Sequence, residues 1–102
     1  MKFRLPNKFT HEVPYLAKKC GYLHITDRIS GNDSYVRKLT SDHYPRFHLY
    51  ISESPEEIVF DLHLDQKKTR YEGQTAHNAD YESEEVKQEL TRIYQTIAPF
   101  QG

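Results

Sequence analysis

The fold is decided by the segment 45–66, PRFHLYISESPEEIVFDLHLDQ, in which apolar and polar residues alternate on both sides of Ser54 and Pro55. Side chains point alternately to the two faces of a β-strand, so this alternation predicts two strands that each bury one face. Serine followed by proline is typical of a turn. We therefore predict a β-hairpin with strands at 45–53 and 57–66.

The pairing within this hairpin follows from its apolar residues. If Ser54 and Glu57 close the turn, Phe47 pairs with Leu64, and the apolar side chains of one strand face those of the other. A slip of one residue would set apolar against polar residues along the whole hairpin. This register, or one shifted by two residues, is therefore predicted.

Helices and further strands are predicted on both sides of the hairpin. Apolar residues spaced three and four positions apart indicate helices, and alternation around Gly31 and Asn32 indicates another hairpin. Its register stays open between a pairing of Ile25 with Leu39 and a shorter turn at Gly31 and Asn32. The predicted elements are a helix at 10–20, strands at 22–29 and 34–39, a loop at 66–82 and a helix at 83–97.

This order of elements predicts an α+β fold. The four strands form an antiparallel meander, and the N- and C-terminal helices pack on one face of it in a two-layer sandwich, which leaves the other face open. Phe3 and Leu5 alternate with basic residues and make a candidate edge strand. We expect residues 1–102 to form a single domain, because a chain of this length builds one core.

Composition argues against several classes of protein. Only 36% of the residues are hydrophobic, no apolar run approaches the roughly 18 residues of a membrane span, and the first residues lack the apolar region of a signal peptide. Cys20 is the single cysteine, which excludes an internal disulfide and a multi-cysteine zinc site. We therefore expect a cytoplasmic protein without a membrane partner.

Charge is divided unevenly along the chain. Residues 1–48 carry nine Lys or Arg against four Asp or Glu, and residues 49–102 carry five against eleven. The two halves either present separate basic and acidic surfaces or neutralise each other across the sheet, and the sequence leaves both open.

The register of the second hairpin also predicts the face opposite the core. The pairs expected there are Arg46 with Asp65, His48 with His63, and Tyr50 with Asp61. Paired Cβ atoms lie about 5 Å apart, so the two histidines and the two aspartates form a cluster. Under the two-residue shift, His48 faces Asp65 instead. We expect His24, Thr26 and Arg28 of the first hairpin to join this face.

This cluster predicts a divalent-metal site. Asp61, His63 and Asp65 alternate along one strand and therefore share a face, and imidazole together with carboxylate suits zinc. The candidate ligands are His48, His63, Asp65 and, from the loop, His77. The competing interpretation is ordinary pairing of polar residues on a solvated sheet.

Catalytic interpretations have less support. Asp65, Gln66 and Lys67 match the D-x-K ending of restriction-type nuclease cores, but no convincing second acid precedes them. No serine lies in a nucleophile-elbow context. A metal-dependent hydrolase at the histidine cluster stays an alternative with unassigned catalytic residues, and the sequence favours a non-enzymatic binding module.

An anionic partner, single-stranded nucleic acid in particular, is the preferred functional hypothesis. Basic side chains attract phosphate and tyrosine rings stack on bases, and both occur where the second hairpin meets the loop at 66–82. The candidate contacts are Arg46, Tyr50, Lys67, Lys68, Arg70 and Tyr71. The length of that loop indicates either a functional lid over the polar face or a connector. A homodimer formed through an edge strand or the open face is a third hypothesis.

Three segments also carry a resemblance to known sequences. HYPRFHLYI at 43–51, DLHLDQKK at 61–68 and TAHNADY at 75–81 resemble segments of small proteins from candidate-phyla bacteria for which no activity is known. The resemblance extends over most of the chain from about His24 onward. It implies a bacterial, cytoplasmic setting and transfers no catalytic or binding role.

Overall fold

The computed structural model describes residues 1–26, 33–42, 44–66, 79–80 and 83–102 of the chain. Its strands are β1 (Lys2–Pro6), β2 (Leu23–Thr26), β3 (Asp33–Lys38), β4 (Arg46–Glu53), β5 (Glu57–Asp65) and β6 (Ala79–Asp80). Its helices are α1 (Val13–Lys19) and α2 (Glu84–Ile97), and a short 3-10 turn at Ala98–Phe100 follows α2.

Five strands form an antiparallel sheet in the order β1-β5-β4-β3-β2, and the two-residue β6 pairs with the C-terminal end of β5. The predicted α+β class is therefore confirmed. The detail differs, because the predicted four-stranded meander of β2 to β5 is extended by β1, which precedes the first helix and lies beside β5. Phe3 gives the physical reason for this extension, since its ring stacks on Phe60 of β5 with the two centroids 4.7 Å apart.

Both helices have ends that the sequence explains. The first helix begins at Val13, later than predicted, and Pro14 lies in its first turn, where a missing backbone N–H is tolerated. It ends before Gly21, whose φ of 87° lies in the left-handed region that favours glycine. The side chain of Ser83 caps α2 by accepting a hydrogen bond from the Val86 amide at 3.2 Å. The loop predicted at 66–82 contains β6, and most of the remainder lies outside the described residues.

The core lies between the two helices and one face of the sheet. Each helix contributes the apolar stripe read from its spacing, and β4 and β5 contribute their alternating apolar residues. The most deeply buried of these side chains are Leu16, Leu49, Ile58, Phe60, Leu62, Val86, Ile93 and Ile97. Neither helix in the described part of the chain is long and apolar enough to cross a membrane.

The register predicted for the second hairpin is confirmed. Phe47 pairs with Leu64 and His48 pairs with His63. The turn closes as expected, because the Ser54 amide donates to the Glu57 carbonyl at 2.8 Å. The polar side chains of β4 and β5 consequently point away from the helices.

The first hairpin adopts neither of the two pairings that the sequence leaves open. Ile25 pairs with Ser34 rather than with Leu39, and His24 therefore pairs with Tyr35. Tyr35 belongs to the core, so His24 and its neighbour Thr26 lie on the helix side of the sheet. Their predicted place in the polar cluster is wrong, because the register that carried it is wrong. Arg28 lies outside the described residues.

A buried acid connects α2 to the rest of the core. Glu89 accepts hydrogen bonds from the Tyr22 hydroxyl at 2.6 Å and from Arg92 at 2.7 Å and 2.9 Å. Arg92 also donates to the carbonyl of Cys20 at 2.6 Å, and Arg37 of β3 lies 3.5 Å from the Glu89 carboxylate. This network, which we call the Glu89 network, ties α2 to the end of α1 and to the sheet.

Candidate metal centre

The candidate site lies on the sheet face that points away from the helices. His48 on β4 pairs directly with His63 on β5, and Asp65 follows His63 by two residues on the same face. Leu62 and Leu64 alternate with these residues and are buried against the helices, which fixes the orientation of the strand. The pattern that builds the core therefore also positions the site.

Asp65 joins the two imidazoles. One carboxylate oxygen, Oδ2, accepts from Nδ1 of His48 at 3.1 Å, and the other, Oδ1, lies 3.2 Å from Nε2 of His63. One ligand-type atom from each of the three side chains lies within 4.8 Å of the others. The structure thus brings together three of the four residues predicted as metal ligands, and the fourth, His77, lies outside the described residues.

The carboxylate of Asp65 is held ionised. Burial alone would raise its pKa, but hydrogen bonds and charge interactions from His48 and His63 outweigh burial and hold the pKa well below its ordinary value. An ionised carboxylate accepts hydrogen bonds and does not donate them. Nδ1 of His48 and Nε2 of His63 are therefore the donors in these two contacts.

Sequence reasoning misses one residue of this cluster, Ser34 on β3. Its hydroxyl oxygen lies 2.9 Å from Nε2 of His48. When the ring of His48 is neutral and its Nδ1–H donates to Asp65, Nε2 is an acceptor and the Ser34 hydroxyl donates to it. The signal that identifies Ser34 is the β3–β4 register, in which its near neighbour Val36 pairs with His48.

The cluster is more buried than an open sheet face implies. The relative exposure of Ser34 is 7% and that of His63 is 8%, and Val36 on the same face is buried as well. The side chains of His48 and Asp65 are 12% and 19% exposed. Polar groups at this depth need partners, and Asp65 and Ser34 supply them for both ring nitrogens of His48 and for Nε2 of His63.

Arg46 and Tyr50, both predicted as contacts for an anionic partner, border the cluster. Nε of Arg46 lies 3.5 Å from Oδ2 of Asp65, and its guanidinium lies over the Tyr44 ring, 5.0 Å from the centroid. Tyr50 stacks on His48 with the ring centroids 4.5 Å apart, and its side chain is 40% exposed. Both residues therefore contact the metal candidates directly.

Among the predicted residues still to be located, the structure describes only Asp61. Asp61 was expected in the cluster, but one of its carboxylate oxygens lies 3.6 Å from the N-terminal amine. The four other predicted contacts for an anionic partner, Lys67, Lys68, Arg70 and Tyr71, lie outside the described residues. The predicted nucleic-acid surface therefore stays a prediction.

Two chemistries fit the arrangement. Ser34, His48 and Asp65 have the hydrogen-bond order of a Ser-His-Asp triad, but Ser34 is buried within an extended strand and is not displayed at a turn. Two imidazoles and a carboxylate that converge on one point are also a ligand set for a divalent transition metal. The burial of Ser34 favours the metal.

Comparisons with known proteins add no assignment. The chain matches no protein-family model, no curated protein and no solved structure.

Proposed function

We propose that the protein binds a divalent transition-metal ion, zinc in the first place, through His48, His63 and Asp65. The observation that carries this proposal is the convergence of three ligand-type atoms from two adjacent strands within 4.8 Å of one another. Convergence of this kind reduces the rearrangement that the side chains undergo when a metal binds.

The spacing of the ligand atoms defines how far the side chains move when a tetrahedral ion binds. With bonds of 2.0–2.2 Å to nitrogen and oxygen, neighbouring ligand atoms of a tetrahedral zinc site lie about 3.4 Å apart. The contacts of Asp65 with His48 and His63 measure 3.1 Å and 3.2 Å. These two contacts use different oxygens of Asp65, whereas the ligand atoms taken one from each residue are separated by up to 4.8 Å. An ion between them therefore needs the widest pair to close by about 1.4 Å.

The hydrogens on the two imidazole rings give a second reason to propose a metal site. The nitrogens that point at Asp65 carry hydrogens that a metal replaces, and each imidazole then binds through the same atom that now donates. When Nδ1 of His48 binds the ion, its Nε2 carries the hydrogen and donates to Ser34. The Ser34 hydroxyl accepts as readily as it donates, so His48 keeps an oriented outer partner with and without the metal.

The ligand set narrows the choice of ion. Mixed imidazole and carboxylate donors suit zinc and its divalent neighbours in the first transition row, whereas calcium and magnesium prefer oxygen ligands alone. Three protein ligands are also the number that catalytic zinc sites use, with a further position left for water or substrate. The hydrolase interpretation of the sequence stays a prediction that depends on such a position.

The direct test is metal titration of protein prepared without a histidine tag and treated with a chelator. We expect one equivalent of zinc per chain by calorimetry, and a cobalt(II) absorption spectrum with tetrahedral intensity. His48→Ala and His63→Ala should each abolish both signals, since a two-ligand remnant binds weakly.

His24→Ala is the matched control for these variants. Nε2 of His24 also contacts a carboxylate, that of Asp33 at 3.1 Å, but on the helix side of the sheet and without a second histidine. We expect this variant to bind zinc as the wild type does. Substoichiometric uptake by the wild type, or equal loss of binding in His24→Ala, overturns the proposal.

A further inference from the structure

We propose that the metal in this site takes an external dianionic oxygen ligand, a phosphate group, and that Arg46 is the residue that pairs with it. The inference rests on the proposed metal site and deepens it by naming the class of ligand. It draws on the position of Arg46, the charges around the metal and the composition of the ligand set.

The charges of the loaded site favour an anion. A divalent ion bound by two neutral imidazoles and the Asp65 carboxylate leaves one net positive charge, and the Arg46 guanidinium adds another. Asp61 shares the face, but its carboxylate lies 3.6 Å from the N-terminal amine and is balanced there. Among the described residues no further carboxylate is paired with these two positive charges, and in half-buried surroundings a dianion matches them.

Arg46 is placed to hold such an ion. Its Nε lies 3.5 Å from Oδ2 of Asp65, the same oxygen that accepts from His48, so the guanidinium lies beside two of the three proposed ligands. The Tyr44 ring lies beneath the guanidinium and holds it on this side of the sheet. Guanidinium binds phosphate oxygens through parallel N–H donors, which makes Arg the usual partner of phosphate in proteins.

Metal binding changes the charge that Arg46 faces. In the metal-free site, Arg46 helps to balance the charge of Asp65. Once the ion withdraws electron density from that carboxylate, the long contact to Nε weakens and the guanidinium repels the metal. A phosphate bound to both restores an opposite charge to Arg46, so the anion and the metal stabilise each other.

The test uses cobalt(II)-loaded protein and inorganic phosphate, with sodium chloride at matched ionic strength as the reference. We expect phosphate to shift the cobalt absorption bands saturably, and Arg46→Gln to weaken the phosphate affinity about tenfold or more, since hydrogen bonds to charged groups contribute most. The same variant should bind cobalt(II) as tightly as the wild type or more tightly, because a neighbouring positive charge is gone. Effects of opposite sign on the two ligands separate this role from a merely structural one.

The matched control is Arg4→Gln on β1. Arg4 is also an arginine on this face, but its partner is Glu57 at 3.6 Å and its side chain is 66% exposed. We expect no change in either affinity. If Arg46→Gln instead weakens cobalt and phosphate equally, or leaves phosphate binding intact, Arg46 does not hold the anion and the inference fails.

Different experimental results would contradict the metal site and the bound anion. No cobalt spectrum in the wild type overturns the metal site and, with it, the anion. A normal cobalt spectrum that phosphate leaves unchanged overturns the anion alone, and it is the result expected if the predicted ligand His77 fills the remaining position.

Discussion

The two faces of the sheet each carry a carboxylate with hydrogen-bonding partners, buried in the case of Glu89 and half-buried in the case of Asp65, and the partners differ. On the helix side, Glu89 is held by Arg92 and by the Tyr22 hydroxyl. On the outer side, Asp65 is held by His48 and His63, with Arg46 further away. Both acids have a lowered pKa, because hydrogen bonds outweigh the effect of burial.

The difference lies in what the partners do with their protons. Arginine stays protonated at any physiological pH, and burial together with the bond to Glu89 raises the pKa of Tyr22 far above its ordinary value. Neither group is a ligand for zinc in its protonated form, so the Glu89 network serves to fix α2 against the sheet. Imidazoles exchange a proton for a metal ion within the physiological range. Similar burial and similar hydrogen bonding therefore give a structural network on one face and a candidate metal centre on the other.

Removal of Glu89 should produce the largest effect. Glu89→Ala leaves Arg92 and the buried Tyr22 hydroxyl without their acceptor, and we expect the free energy of unfolding to fall by about 3 kcal/mol in urea titrations. Zinc binding by the folded variant should match that of the wild type, because the two faces are independent.

Gln88→Ala is the control, since Gln88 is exposed on the same helix and the change should stay within about 0.5 kcal/mol. A Glu89→Ala variant as stable as Gln88→Ala would show that the Glu89 network does not stabilise the fold.

The second-largest effect on stability is expected from zinc binding on the outer face of the sheet. Zinc at a hundred times its dissociation constant should stabilise the wild type by about 2.7 kcal/mol, and a chelator should reverse the gain. Asp65→Asn should lose this gain, because the amide replaces the anionic ligand between the two imidazoles. Thermal or urea unfolding with and without zinc measures both proteins, and equal stabilisation of the two would contradict the ligand assignment.

Acid should produce the smallest effect, because burial and hydrogen bonding act on Glu89 in opposite directions. Its pKa in the folded protein lies below the ordinary value of 4.5, so the unfolded chain takes up the proton first. The stability that Glu89 contributes is therefore complete above that value and is lost as the pH falls through the folded pKa. Zinc-free wild type should lose stability more steeply than Glu89→Gln between about pH 5 and pH 3. Parallel curves for the two proteins would contradict this.

The sequence predicts the site only as far as it predicts the strand pairing. The second hairpin alternates between apolar and polar residues apart from Val59, which leaves this register or one shifted by two residues, and the structure has the first, with His48 opposite His63. On β3, Ser34, Tyr35 and Val36 are buried in succession, which means that both faces are covered and no alternation marks the register. Ser34 was therefore missed, and His24 was assigned to the wrong face.

The sequence also does not predict that the cluster is largely buried. A strand with Asp61, His63 and Asp65 at alternate positions looks like a strand with one solvated face, because charged and polar residues are usually exposed. The depth of His63 depends on what surrounds the strand in three dimensions. Composition shows only which residues tolerate burial when they are paired.

The turn at Ser54 and Glu57 has a consequence for assembly. All three proposed ligands belong to one hairpin, and 17 positions separate His48 from Asp65. The chain entropy lost in bringing the ligands together is therefore that of closing one short loop, and this entropy cost grows only slowly with loop length. β-Hairpins form within microseconds. Ligands drawn from α1 and α2 would meet only after the core had formed. Here the closing of one turn brings them together, so the ligand set forms with the hairpin itself.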